Sequence, residues 1–152
     1  MQHRADIRWT AKGDVARGQY SRAHSWSFDG GLTVPGSASP DIVPAPYSDA
    51  AAVDPEEAFV ASVASCHMLW FLDLARRAGH VPQSYHDAAV GQMSRSSEGK
   101  MWIDRITLNI CVVWADDAPD RAAHEALHHA AHEACFIANS IRTDIVTNII
   151  EG

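Results

Sequence analysis

The stretch DPEEAFVASVASCHMLWFLDLARR, residues 54–77, decides the fold. Asp54 can cap a helix, Pro55 suits the first helical position, and the glutamates that follow favour the positive end of the helix dipole. Apolar residues then recur at spacings of three and four, as on one face of a helix; they are Phe59, Val63, Cys66, Trp70 and Leu74. The stretch therefore predicts a single helix, and Gly79 suits the position just past its end.

Strands are predicted on both sides of this helix. Residues 20–28 alternate so that Arg22 and His24 share a face with three aromatic side chains. The step Asp29-Gly30-Gly31 predicts a hairpin turn after them. Four elements are predicted beyond the helix: strands over 83–95 and 101–114, a second helix over 119–134, and a last strand over 143–150.

Periodicity assigns the faces of these later elements. On the strand 101–114, one face carries Ile103, Arg105, Thr107, Asn109 and Cys111, and the other carries Ile106, Leu108, Ile110 and Val112. On the second helix the inward positions are Ala123, Leu127, Ala130 and Ala134.

Composition favours one domain over residues 1–152, because a chain of that length can bury a full hydrophobic core. The net charge of −7 argues against a nucleic-acid surface, which needs clustered lysine and arginine. No apolar run approaches the roughly 18 residues of a membrane span. The N-terminal segment lacks the apolar stretch of a signal peptide, so we expect a cytoplasmic protein that does not act at a membrane.

The chain has three cysteines, Cys66, Cys111 and Cys135, in a compartment where structural disulfides are uncommon. Each can be an inert buried thiol, and that interpretation is strongest for Cys111. A reactive Cys66 needs a cation to favour the thiolate, and its own helix places none beside it. Arg22 is the candidate, because a guanidinium stays charged when it is desolvated. From spacing alone, Arg22 is equally an ordinary surface residue.

Histidine recurs at every fourth position on the second helix, at His124, His128 and His132, and Cys135 follows three positions later. Such spacing can bind zinc. The more ordinary interpretation is a solvated polar face on an alanine-rich helix, because nine histidines make chance pairs common. We therefore predict neither a metal nor an organic cofactor.

Three segments resemble the OsmC/Ohr superfamily, the osmotically inducible and organic hydroperoxide resistance proteins. Residues 54–79 resemble its central helix, HEACFIANSI at 132–141 its second cysteine motif, and YSRAHSWSFDGG at 20–31 its arginine strand. The resemblance implies an α+β fold with antiparallel sheets and two long helices. It also implies an intertwined homodimer.

The resemblance further implies a cysteine-based peroxidase that reduces organic hydroperoxides, and hydrogen peroxide less well. Cys66 is then the peroxidatic cysteine and Cys135 the resolving one. They form a disulfide that an external dithiol or small thiol reduces. Arg22 stabilises the thiolate and Glu56 holds the arginine, with Arg17 as a rival to Arg22.

Glu56 and Cys66 are ten residues apart. In one continuous helix they are separated by about 15 Å along the axis and by about 80° around it. Glu56 would therefore act through Arg22, through a break in the helix, or from a dimer partner.

The long loop over residues 36–54 contains Pro44, Pro46 and Tyr47 and precedes the first helix. Loops of this length are commonly functional, and we expect this one to form part of an apolar mouth for the alkyl group of a substrate. Two other functions stay open. One is a non-enzymatic OsmC-like protein that binds a small apolar ligand or senses redox state, and the other is a zinc-binding module.

Overall fold

Residues 1–115 and 117–150 are described by a computed structural model, in which the chain divides into two units, Met1–Ala58 and Phe59–Gly152. One domain over residues 1–152 stays a prediction, because this division does not test whether the two units fold separately.

The first unit consists of short antiparallel strands. A three-stranded sheet has the order β1-β4-β5, and a two-stranded ribbon joins β2 to β3. The strands are β1 (Ala5–Arg8), β2 (Gly13–Asp14), β3 (Gln19–Tyr20), β4 (His24–Phe28) and β5 (Thr33–Gly36). The predicted turn between β4 and β5 is confirmed: Gly31 has a φ of +87° and its N–H donates to the carbonyl of Phe28.

The first helix, α1, runs from Pro55 to Arg77. A capping box starts it, because the Glu57 N–H donates to Asp54 Oδ1 at 2.7 Å and the Asp54 N–H donates to Glu57 Oε2 at 3.2 Å. At the other end, Gly79 has a φ of +87° and the His80 N–H donates to the carbonyl of Ala75. Both predicted ends of the helix are confirmed.

The second unit contains a sheet built around one long strand. Its strands are β6 (Pro82–Asp87), β7 (Val90–Arg95), β8 (Met101–Trp114) and β9 (Asp144–Ile149). β6 and β7 pair antiparallel with β8, and β9 pairs with β8 in parallel. Two predictions are corrected here: the strand expected over 83–95 is interrupted at 88–89, and the sheet is not wholly antiparallel.

The core of this unit lies between α1 and β8. Val63, Ile106, Leu108 and Ile110 are all fully buried in one cluster. The predicted apolar face of β8 is therefore confirmed for its central residues. Ile103 was assigned to the opposite face but packs against this cluster. The cause is a register shift, in which Gln92 pairs with Arg105 and Met93 with Ile103.

The buried stripe of α1 is offset from the predicted one. Its fully buried members are Val63, His67, Phe71 and Ala75, whereas Phe59, Cys66, Trp70 and Leu74 are half-buried. Phe71 and Ala75 pack against Ala131 in a second cluster. This packing turns His67, rather than Cys66, toward the interior.

The second helix, α2, runs from Arg121 to Ala134. Asp120 caps it by accepting a hydrogen bond from the Ala123 N–H at 2.8 Å. The prediction that Ala130 faces inward is wrong, because Ala130 is exposed while His128 and Ala131 are buried. A 3₁₀ turn over Ala138–Ser140 then leads the chain toward β9.

Helix α1 leaves much apolar surface uncovered. By length and mean hydropathy it is the one helix in the described part of the chain that could cross a membrane, and 22% of its most apolar window is buried. Leu69 on this helix is 63% exposed. A core helix of a soluble protein passes the same test of length and hydropathy, so the expected absence of a membrane span stays a prediction.

Replacing Leu108 with alanine should lower the free energy of unfolding by about 2–5 kcal/mol, because the substitution leaves a cavity beneath α1. The control is Val113→Ala on the same strand, where the side chain is 48% exposed. That change should cost about 0.5 kcal/mol or less. Denaturant unfolding of both variants measures the difference, and equal losses would contradict this position of the core.

Candidate active site

Cys66 and Cys135 meet in the second unit. The Cys66 side chain lies close enough to Cys135 to raise the pKa of its thiol, although the two residues lie far apart in the sequence. All three cysteines of the chain are free thiols. The structure therefore brings together the two thiols that the sequence singled out, both in the reduced state.

The two thiols differ in their surroundings. Cys135 is 1% exposed, whereas Cys66 is half-buried. Burial raises the pKa of Cys135, and the neighbouring Cys66 side chain raises it further. The Ala138 N–H, which donates to Cys135 Sγ at 3.4 Å, acts in the opposite direction. The net rise keeps Cys135 protonated at neutral pH.

The turn after α2 holds Cys135 in place. Cys135 is the C-cap of the helix, and its N–H donates to the carbonyl of His132. Its own carbonyl accepts a hydrogen bond from the Asn139 N–H at 3.0 Å. Phe136 packs edge-to-face on Trp70 of α1, with ring centroids 5.4 Å apart. The segment that follows Cys135 thus forms a tight turn that α1 contacts.

Three histidines form a hydrogen-bonded chain between α1 and α2. His67 Nε2 lies 3.0 Å from His128 Nδ1, and His128 Nε2 lies 3.2 Å from His124 Nε2. The rings of His67 and His128 are stacked, with centroids 5.3 Å apart. Phe71 also stacks on His128, at 4.2 Å. We call His67, His128 and His124 the histidine chain.

The histidine chain corrects the expectation of a solvated polar face on the second helix, because His128 is 1% exposed. His67 of α1, for which no position was predicted, is also 1% exposed. The four-residue spacing of these histidines is typical of a buried helix face. His67 lies four residues from both Val63 and Phe71, as His128 does from His124. His128 was expected to lie outside because histidine is polar, and no position was assigned to His67.

Burial keeps the inner part of the histidine chain neutral. Desolvation is the main cause that lowers the pKa of His67 to about 4, with a smaller effect from His132. The pKa of His128 falls to about 3, chiefly by desolvation and then by the neighbouring imidazoles. His67 Nδ1 is buried without a hydrogen-bond partner among the described residues. Both imidazoles are therefore uncharged at neutral pH.

The zinc alternative gains no support from this arrangement. Within residues 1–115 and 117–150, no group of three or more His, Cys, Asp or Glu side chains is placed to hold a metal ion. Four of the six imidazole nitrogens instead lie within hydrogen-bond distance of another imidazole of the histidine chain.

Arg22 lies in the first unit. Its guanidinium stacks over the Tyr20 ring at 3.6 Å, and Nη1 donates to the carbonyls of Gly18 and Tyr20. Nε and Nη2 have no hydrogen-bond partner in the described part of the chain. The rival Arg17 is exposed and pairs with Asp14 at 3.6 Å. The role of either arginine toward Cys66 stays a prediction.

A cavity of about 470 Å³ opens beside Arg22 in the first unit. It is lined by Ile7, Trp9, Val15, Tyr20, Arg22, His24, Ser37, Ala38 and Pro55. The loop over 36–54 contributes Ser37 and Ala38, whereas Pro44, Pro46 and Tyr47 are not among the lining residues. Tyr47 instead accepts a hydrogen bond from the Arg22 N–H through its carbonyl.

His24 is held in one tautomer at this cavity. Its Nδ1 lies 2.7 Å from the carbonyl of Arg22, and its Nε2 lies 2.6 Å from Trp26 Nε1. A carbonyl only accepts and an indole N–H only donates, so Nδ1 carries the hydrogen. Gly36 passes so close that a Cβ there would lie 2.5 Å from His24 Nε2.

Glu56 is half-buried in the first turn of α1. The capping box uses its neighbour Glu57, and no ion pair joins Glu56 to Arg22 among the described residues. Because α1 is unbroken from Pro55 to Arg77, a helix break cannot bring Glu56 to Cys66. Its predicted role stays a prediction.

Acid should destabilise the second unit through the histidine chain. Unfolded histidine has a pKa near 6.5, whereas His67 and His128 bind a proton in the folded state only near pH 4 and 3. The contribution of these two neutral histidines to the free energy of unfolding is therefore fully present above about pH 6.5 and is lost as the pH falls below that value. Each histidine should account for about 2–3 kcal/mol of the loss by about pH 4.5.

Urea unfolding between pH 7 and 4.5 measures this loss. His128→Phe, which keeps an aromatic ring but cannot titrate, should make the loss clearly smaller. His129→Asn, at an exposed position on the same helix, should leave it unchanged. An acid loss that is the same in His128→Phe and the unmodified protein would contradict the assignment.

Known proteins provide an independent comparison. The profile of the family described as OsmC-like protein matches residues 48–150. An OsmC-like protein of unknown function from Vibrio cholerae is 46% identical, with 99% of each chain covered and a TM-score of 0.95. No curated protein gives a significant match.

More distant structures share the fold. An organic hydroperoxide resistance protein from Elizabethkingia anophelis has a TM-score of 0.70 at 16% identity, over 100% of this chain and 96% of that one. The organic hydroperoxide resistance protein OhrB of Bacillus subtilis has a TM-score of 0.61 at 21% identity, over 98% of both chains. The predicted α+β fold of the OsmC/Ohr type is confirmed, and this chain belongs to the OsmC-like protein family.

Proposed function

We propose that this protein is a thiol-dependent peroxidase that reduces organic hydroperoxides. The observation that carries the proposal is that two free thiols, Cys66 and Cys135, lie beside each other. Two cysteines so distant in sequence meet here without a metal-binding set around them in the described residues. A thiol pair of this kind suits a cycle of oxidation and disulfide formation.

The difference between the two thiols supports one role for each. Cys66 is the more exposed, so a peroxide can reach it. Cys135 is buried, and its raised pKa keeps it a thiol until a neighbouring sulfur is oxidised. Cys66 is therefore the attacking residue and Cys135 the resolving one.

The proposed cycle has three steps. The Cys66 thiolate attacks one peroxide oxygen, the O–O bond breaks, and an alkoxide leaves and takes a proton to become the alcohol. The resulting sulfenic acid condenses with the Cys135 thiol, which forms the disulfide and releases water. An external dithiol or small thiol then reduces the disulfide by exchange and is itself oxidised.

The first unit supplies features that fit an organic substrate. Its cavity of about 470 Å³ is mainly apolar, as an alkyl group requires. Arg22 lines this cavity with two nitrogens that have no hydrogen-bond partner among the described residues. We propose that Arg22 favours the thiolate and that Glu56 orients it.

We also propose that the protein works as a homodimer in the cytoplasm. The uncovered apolar surface of α1, including Leu69, favours burial against a second copy. A cycle that ends in reduction by thiols suits a reducing compartment.

A non-enzymatic binding protein is the second candidate, and the cavity beside Arg22 is the observation that favours it. A cavity of that size accepts a small apolar ligand without any thiol chemistry. The two functions differ in what happens to the cysteines when a hydroperoxide is added.

One equivalent of cumene hydroperoxide should remove two free thiols from the reduced protein within minutes. Cys66→Ser should lose none, because the attacking sulfur is gone. Cys135→Ser should lose one, because the sulfenic acid has no partner. Counting free thiols in denaturant gives these numbers, and Cys111→Ser is the control that should still lose two.

An unmodified protein that keeps all its thiols would contradict the peroxidase and favour ligand binding. Loss of two thiols from Cys66→Ser would assign the attack to another cysteine.

Arg22→Gln should slow the oxidation of Cys66 about tenfold or more at pH 7, because a nearby positive charge raises the thiolate fraction. Raising the pH should restore much of the rate, since alkali supplies the thiolate instead. Stopped-flow measurement of thiol oxidation across pH tests both points. The control is Arg17→Gln, and a larger effect there would transfer the role to Arg17.

A further inference from the structure

The histidine chain and the thiol pair join the same two helices. On α1, His67 directly follows Cys66. On α2, His128 precedes the C-cap residue Cys135 by seven positions. Seven residues are nearly two helical turns, so these two residues lie on almost the same face of the helix axis. Two adjacent residues of α1, about 100° apart around its axis, thus make both contacts with α2 and its C-cap.

The contact between His67 and His128 is a specific one. It combines a hydrogen bond of 3.0 Å with parallel rings, inclined by 6°. Phe71 stacks on His128 and fixes the ring plane further. Both histidines are 1% exposed, so water does not compete for this hydrogen bond.

Other side chains could fill the space between α1 and α2 at a lower cost in desolvation. An apolar pair of similar volume would avoid the desolvation of two imidazoles. The polar pair carries such a desolvation cost, because His67 Nδ1 is buried without a hydrogen-bond partner among the described residues. A hydrogen bond restricts the relative rotation and translation of the two helices more closely than apolar packing does.

We propose that His67 and His128 are positioning residues that hold α1 and α2 in the one arrangement where Cys66 and Cys135 can form a disulfide. The inference rests on the proposed function for its role in the cycle. The two imidazoles touch neither peroxide nor sulfur in the proposed steps. They raise the effective concentration of one thiol at the other. The condensation step and the disulfide equilibrium should therefore depend on them, whereas the attack on peroxide should not.

The experiment compares four variants of the full chain. His128→Phe and His67→Phe each keep an aromatic ring but lose the hydrogen bond. His67→Gln places a polar atom near the position of Nε2 and should rescue it in part. His129→Phe makes the same change at an exposed neighbour and is the control.

The first measurement is the thiol–disulfide equilibrium of Cys66 and Cys135 in glutathione buffers, with no hydroperoxide present. His128→Phe should make the disulfide about tenfold easier to reduce, which is a shift of about 30 mV. His67→Gln should lie close to the unmodified protein, and His129→Phe should match it. Should His128→Phe fail to fold, His67→Phe tests the same bond from α1.

The second measurement follows the sulfenic acid with a dimedone-type trap during oxidation by cumene hydroperoxide. His128→Phe should accumulate more trapped Cys66, because condensation is slowed, while peroxide consumption in the first turnover is unchanged. Lower thermal stability with an unchanged disulfide equilibrium and no extra trapping would overturn the inference and leave a purely structural pair.

The two proposals fail in different ways. If the unmodified protein does not react with hydroperoxide but His128→Phe shifts the disulfide equilibrium in glutathione, the peroxidase is refuted and the positioning role stays intact. An unmodified protein that consumes hydroperoxide, with histidine variants whose equilibrium does not move, would refute the positioning role alone.

Discussion

The packing of α1 on β8 is the constraint on which the second unit depends. Val63 and the central side chains of β8 are fully excluded from water. Gly91 of β7 contributes by its lack of a side chain, because a Cβ there would lie 2.5 Å from Val60 Cγ2. Once α1 is seated on the sheet, its neighbouring face, with Cys66, His67 and Trp70, meets α2 and the turn that follows it. The meeting of Cys66 and Cys135 therefore depends on an ordinary hydrophobic contact.

The elements that local signals determine were predictable from the sequence. The capping box at Asp54 and the glycine at Gly79 act within one turn of the chain, and so does the turn at Gly31. The predicted alternation along β8 is confirmed between Arg105 and Ile110. At Asp104 a register shift interrupts it, and Ile103 packs on the face opposite to the predicted one. A bulge of this kind depends on the partner strand, so a single strand does not reveal it. The same is true of the parallel pairing of β9.

The candidate site likewise combines a feature that was expected from the sequence with one that was not. The meeting of Cys66 and Cys135 was expected from the resemblance of two motifs and not from spacing, because contacts between distant residues arise from tertiary packing. The burial of His67 and His128 was missed because histidine counts as polar in a helical pattern. In the structure each imidazole supplies the partner that makes the burial of the other tolerable. The sequence around either histidine alone therefore does not reveal that its side chain is buried.

The tautomer of His24 bears on what kind of guest the cavity of the first unit can hold. Both nitrogens of this imidazole are engaged, one with a carbonyl and one with an indole N–H. The Trp9 indole N–H likewise donates to the Ser21 carbonyl, and Ser37 Oγ accepts a hydrogen bond from the Asp49 N–H. Arg22, by contrast, keeps two guanidinium nitrogens without a hydrogen-bond partner among the described residues. A cavity with one charged side chain and mainly apolar walls distinguishes guests by their size and shape more than by their pattern of polar groups.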